Sequence, residues 1–152
     1  MKKKTMYYLL IIIIVLLLAR CFGPKRYRFS QSTDQIASID IVEGMTANDA
    51  RRGDFSNIVV LASIPEEEWN QFLTEFSSVK RHSHIGDPLQ GLGGRIFRIT
   101  YNDGGIELVG RLTGYYYRWN EDGIGKFKPT YFDEEQFEHL IEKYLNEFGV
   151  GN

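Results

Sequence analysis

The feature that most constrains this chain is an unbroken apolar run near its N-terminus, Met6 to Ala19, fourteen residues rich in Ile and Leu. Lys2, Lys3 and Lys4 precede it, and Arg20 and Cys21 close it. Such a run has no polar face to offer water, so it does not fit a helix lying on the surface of a soluble domain. At about 1.5 Å of rise per residue it covers roughly 21 Å, against about 30 Å for a bilayer core. It therefore spans only if its neighbours join it, whereas its basic tip and length suit the apolar core of an export signal. Residues 1–21 are expected to be a signal or membrane anchor, and the membrane is the expected partner of residues 6–21.

Cys21 is the one cysteine of the chain. Leu18-Ala19-Arg20-Cys21 resembles the lipid-attachment site of bacterial lipoprotein signals, which makes Cys21 a candidate for lipidation. Arg20 departs from the small residue expected there, so a retained, uncleaved anchor stands beside lipidation as the alternative. The flanks carry nearly balanced positive charge, Lys2, Lys3 and Lys4 against Arg20, Lys25, Arg26 and Arg28, which leaves orientation to the layout of the segment. A short basic tip ahead of an apolar run is the layout of export. The expected location is the cell membrane, with the C-terminal domain on the extracytoplasmic side.

Beyond Cys21 there are enough residues for one domain with its own core. The chain has 18 basic and 20 acidic residues. Four of the basic ones lie before Cys21 and no acidic residue precedes Asp34, so the rest of the chain carries a net charge near −6. An acidic domain without a basic block argues against nucleic acid as a partner. With its only cysteine at position 21, the domain holds no internal disulfide.

Residues 22–33 read as a polar stalk opened by Gly23-Pro24, and residues 34–152 as a single globular domain. Ile36 to Val42 alternates as a half-buried strand. Residues 43–56 are polar and read as a long loop or an irregular hairpin tip. Asn57 to Ala62 is a short continuous apolar run, which suits an interior strand. Ser63 is placed to cap a helix whose apolar face is Trp69, Phe72, Leu73 and Phe76. A strand follows over 79–85. Arg95 to Tyr101 alternates, Asn102-Asp103-Gly104-Gly105 supplies a turn, and Ile106 to Val109 returns, which predicts a hairpin. Further strands are expected over 113–119 and 124–128. Asp133 caps a last helix with Phe137, Leu140, Ile141, Tyr144, Leu145 and Phe148 on one stripe. The expected fold class is α+β, a mainly antiparallel sheet with two amphipathic helices on one face, preceded by an N-terminal membrane helix.

Candidate chemistry is sparse. His82 and His84 lie two residues apart on a predicted strand, with Asp87 three residues on; they are weak metal-ligand candidates, since a metal site needs three or four such groups. Gly91 to Gly94 is followed by a strand, whereas a phosphate loop requires a helix N-terminus there. No serine sits in a glycine elbow. No cofactor and no catalytic residue is expected, and the chain reads as a non-enzyme. The most suggestive run is Tyr115 to Trp119. On a strand, Tyr115, Tyr117 and Trp119 share a face suited to stacking on a sugar ring or to meeting a protein.

Pro65-Glu66-Glu67, Phe72-Leu73 with Phe76, Gly86-Asp87-Pro88 and the stretch Ile99 to Gly104 resemble a family of small membrane-anchored or lipoprotein-like envelope proteins of Gram-positive bacteria. The resemblance covers Glu66 to Trp119. It implies a membrane or lipid tether and a small α+β domain, and brings no activity and no catalytic residues. The expected function is thus a membrane-tethered extracytoplasmic binding or interaction module for a protein or cell-wall ligand. An immunity-type or partner-regulating membrane protein is the alternative, and an envelope enzyme the second alternative.

Overall fold

The structure is a computed structural model, and it describes residues 2–22, 27–82, 93–117 and 126–150. Among them, α1 (Lys2–Phe22) is followed by β1 (Ile36–Glu43), α2 (Ala47–Arg52), β2 (Val59–Ile64), α3 (Trp69–Ser78), β3 (Arg81–His82) and β4 (Ile96–Tyr101). Then come β5 (Ile106–Val109), β6 (Thr113–Tyr117), β7 (Lys126–Pro129), β8 (Tyr131–Phe132) and α4 (Glu134–Phe148). The fold is α+β. Six strands form one sheet in the order β2-β1-β4-β5-β6-β7, and β3 pairs with β8 in a second, two-stranded sheet. All of these pairings are antiparallel.

The β4–β5 hairpin forms because its apolar residues alternate and because Gly104 takes the left-handed backbone, at φ 82°, that the turn requires. Alternation then divides the sheet into two environments. Ile39, Ile41, Phe97, Ile99 and Val109 enter one buried cluster with Phe72 and Phe76 of α3 and Phe137, Leu140, Ile141 and Tyr144 of α4. Phe97 meets both helices, with ring centroids 5.0 Å from Phe72 and 5.6 Å from Phe137. On the alternate positions, Val42, Ile96 and Leu108 join Met45 and Ala50 in a smaller cluster.

Several expectations are corrected. Within the expected stalk, the described residues from 27 on are not simply solvated: Tyr27 is buried in the main cluster and Phe29 packs against it. Their partners lie far along the chain, at Phe76 and Phe132. The polar stretch 43–56 contains α2, which Thr46 and Asp49 start with reciprocal side-chain-to-backbone hydrogen bonds, and which Gly53 ends in the left-handed conformation. β2 lies at the sheet edge rather than inside it, with Val59 57% exposed. Ser63 does not cap α3, because it belongs to β2 and its hydroxyl donates to Asp40. A short 3₁₀ turn, Glu66–Glu68, leads into α3 instead. Asp133 does cap α4, accepting from the Gln136 N–H at 3.1 Å, but the Gln136 side chain turns outward to accept from the Lys80 N–H.

α1 is helical over 21 residues, yet Lys2, Lys3, Lys4 and Arg20 lie inside it. The side chains from Met6 to Leu16 are described, and each is 45–68% exposed. Among the described residues no helix is long and apolar enough to cross a membrane. The expected spanning helix is thus not found; the eleven described apolar side chains cover roughly 16 Å, about half of a bilayer core.

Candidate functional site

Among the described residues, the positions singled out in the sequence lie on separate elements. Cys21 falls in the last turn of α1. His82 ends β3 in register with Tyr131, while His84 and Asp87 lie outside the described residues. Among the described residues no group of three or more His, Cys, Asp or Glu side chains is placed to hold a metal ion. Tyr115 and Tyr117 lie on β6, opposite Leu108 and Ile106 of β5. Leu108 belongs to the smaller cluster and Ile106 packs against it, so these register positions fall on the sheet face away from α3 and α4. Trp119 lies outside the described residues.

Three polar constellations emerge that the sequence did not single out. The first lies on that same sheet face. Asp40 of β1 is buried, and Arg98 of β4 stands directly across from it. The guanidinium donates to one carboxylate oxygen from Nε at 3.2 Å and from a terminal nitrogen at 2.9 Å. Ser63 Oγ supplies the other oxygen at 2.7 Å, and Ser38 Oγ adds a bond of 3.1 Å. The ion pair is thereby locally neutral and rigid. It forms a cross-strand row, Ser63–Asp40–Arg98–Leu108–Tyr115, on successive strands.

The second is a surface groove of about 360 Å³ between α3 and α4. Val79 and Leu140 form its apolar floor, and Glu75, Ser78, His139 and Lys143 line it. Lys143 Nζ donates to both Glu75 oxygens at 2.5 and 2.7 Å. Partial burial of Glu75 works to raise its pKa, but the Lys143 hydrogen bonds and charge outweigh it and hold the carboxyl below its ordinary value. Tyr144 is pushed the other way, above the usual phenol value, by burial and by the Glu75 charge.

The third is a fully buried carboxylate, Glu107, on the helix-covered face opposite Ile99. Tyr27 Oη donates to one oxygen at 2.5 Å; Tyr101 Oη and the Ser30 N–H donate to the other at 2.5 and 2.7 Å. Burial, reinforced by the Glu107 charge, raises the Tyr27 pKa well above that of a free phenol, so its hydroxyl stays a donor. The legible signal for this site was an acidic residue at a core-facing position of Ile106-Glu107-Leu108-Val109. Nothing local marked Tyr27 as its partner, 80 residues away.

Each constellation holds its carboxylate in a fixed web of donors, an arrangement suited to rigid presentation and binding. No protein-family model, no curated protein and no solved structure matches this chain.

Proposed function

We propose that this chain is a membrane-tethered binding module. In this reading α1 holds it at a membrane through residues 6–21, and an extracytoplasmic α+β domain, with α3 and α4 together covering one sheet face, presents the part of the opposite face that the smaller buried cluster leaves open, on β2, β1 and β4, to a protein or cell-wall ligand. One observation carries the tether: the eleven apolar side chains from Met6 to Leu16 are exposed on every side of the helix. Burying one such side chain fully is worth about 1.5–3 kcal/mol. At half that gain for each, transfer to hydrocarbon releases on the order of 10 kcal/mol, comparable to the whole stability of a small domain. A protein groove covers one stripe of a helix, whereas lipid covers its full circumference.

The proposed ligand surface is the Ser63–Asp40–Arg98 part of that face; Tyr115 occupies the same cross-strand row two strands beyond Arg98, past Leu108. A preformed, neutralised ion pair flanked by the exposed Ser63 hydroxyl suits a ligand with hydroxyl groups. No catalytic role is assigned, since Asp40, Glu75 and Glu107 are each already engaged by donors.

Flotation of the full-length protein with phosphatidylcholine–phosphatidylglycerol vesicles after alkaline carbonate treatment tests the tether. The wild-type chain is expected in the floating fraction, and the Ile12→Lys/Ile13→Lys variant in the soluble one. A folded wild-type chain that stays soluble would refute the reading. An alkaline phosphatase fusion at the C-terminus reads the side of the membrane, and an inactive but stable fusion would overturn the extracytoplasmic placement.

A further inference from the structure

We propose that residues 27–31 are a latch, with Glu107 as its catch, that fixes how far the domain stands from the membrane; this rests on α1 being the tether. Tyr27 is only 7% exposed, and its ring meets Phe29, Phe76 and Phe132 at centroid distances of 5.2, 5.5 and 5.8 Å. The Arg81 guanidinium carbon lies 5.5 Å from the centre of the same ring. Two of the donors to buried Glu107, the Tyr27 hydroxyl and the Ser30 N–H, come from this short segment. Gln31 adds a bond of 2.9 Å to Asp103 in the β4–β5 turn. The segment is therefore held at both ends and at its middle.

The consequence is one of reach. Five Cα steps separate Phe22, the end of α1, from Tyr27. A chain of that length extends at most about 18 Å. If the latch opened, the first fixed point would move to the 3₁₀ turn at Thr33, eleven steps from Phe22. The limit then becomes roughly 40 Å. Latched, the domain is seated with its Tyr27 end at the bilayer surface. Released, it sweeps a shell more than twice as deep. The closed state is favoured because opening strips a buried carboxylate of two charge-assisted hydrogen bonds and bares a tyrosine ring.

Three measurements on the full-length protein in phosphatidylcholine vesicles test this. In the wild type, hydrogen exchange at the Ser30 amide is expected to be at least a hundredfold slower than in an unstructured peptide; exchange at the free rate would overturn the latch without any substitution. Arg28 is exposed between the two held residues. Tryptic cleavage after it should therefore report opening. Tyr27→Phe, which keeps the ring contacts, and Glu107→Gln are each expected to raise the cleavage rate about tenfold, the scale of one hydrogen bond to a charged group. Rates equal to wild type would refute the proposal. Energy transfer from a dye at Glu147→Cys (in a Cys21→Ser background) to acceptor lipid should fall in Glu107→Gln; unchanged transfer with faster cleavage would overturn the claim about reach. A wild-type protein that fails to float, yet keeps Ser30 protected, would instead remove the tether on which the proposal rests.

Discussion

Phe72 joins the layers of the domain, so Phe72→Ala should be among its most damaging single substitutions. The side chain is fully buried on α3. Its ring centroid lies 5.0 Å from Phe97 of the sheet, 5.4 Å from Tyr144 of α4 and 5.6 Å from Phe76 on its own helix. Truncation removes the transfer free energy of a phenyl ring and leaves a cavity that three neighbouring rings cannot readily close, a loss of about 3–5 kcal/mol. Each aromatic pair carries about 0.5–1.5 kcal/mol of that beyond area burial. A domain of this size is stable by about 5–15 kcal/mol, so roughly a fifth or more of its stability is at stake. At roughly 3–5 °C per kcal/mol, Tm should fall by about 10–20 °C. Calorimetry of the full-length protein in detergent micelles measures it, with Val59→Ala on the exposed edge strand as a control expected to stay within about 0.5 kcal/mol. Pairing Phe72→Ala with Phe97→Leu should give a coupling of about 1 kcal/mol, since the two rings touch. A fall in Tm below about 3 °C, or a coupling of zero, would refute the assignment of Phe72 as the element joining helix to sheet.

Three further perturbations follow from the geometry. Because Lys143 holds the Glu75 pKa below its ordinary value, the pair's contribution is present above the ordinary carboxylate pKa and is lost as pH falls through the depressed one. Both side chains are about a third exposed. Lys143→Met should therefore destabilise by less than about 1 kcal/mol at pH 7, with the difference from wild type vanishing near pH 2 in urea titrations; an equal difference at both pH values would remove the ion pair as its cause. A Cβ added at Gly149 runs into the Leu145 carbonyl, beside the bridge from Gly149 to Ala62 of β2. Gly149→Ala should then lose about 1–3 kcal/mol, and a neutral result would show that the chain end does not dock on β2 as described. Tyr27→Phe and Glu107→Leu should each destabilise alone by about 1–3 kcal/mol but combine to less than their sum, because once Glu107 is gone the Tyr27 hydroxyl has no carboxylate left to satisfy; strict additivity in a double-mutant cycle would show that the two do not interact.

What the sequence revealed about the fold depended on how local each cause was. The β4–β5 hairpin was legible because Phe97, Ile99 and Tyr101 alternate and the turn residues sit between two apolar runs. The Asp133 cap and the α4 stripe were legible for the same reason, as all their partners lie within a turn or two. β2 misled because a continuous apolar run resembles an interior strand, whereas its place at the edge was set by which strands pair elsewhere. Ser63 resembled a helix cap until Asp40, on the neighbouring strand, claimed its hydroxyl. Tyr27 was hidden among Lys25, Arg26 and Arg28, whose charges read as solvated, while the groups that bury it come from Phe76, Glu107 and Phe132. Of the candidate residues, Tyr115 and Tyr117 could be placed on a common strand by periodicity alone, but the polar row that shares their face required the strand order β1-β4-β5-β6.

The two buried carboxylates show how that strand order is held in register. Asp40 faces Arg98 on one side of the sheet, while Ile39 faces Ile99 on the other. A slip of one residue would turn Asp40 toward the aromatic cluster and separate it from Ser63, leaving a charge in an apolar core at a cost of several kcal/mol. The pair thus selects one register even though an exposed ion pair of its kind would add little stability. Glu107 breaks the same rule, as a carboxylate that already faces the apolar side. It is tolerated because Tyr101 lies two residues from Ile99, its register partner, and because Tyr27 and Ser30 bring further donors from a segment outside the sheet. Sheet register and the docking of residues 27–31 are therefore one requirement: the register that satisfies Asp40 also sets Glu107 where those donors reach it, and without them the aromatic core would close over an under-satisfied charge.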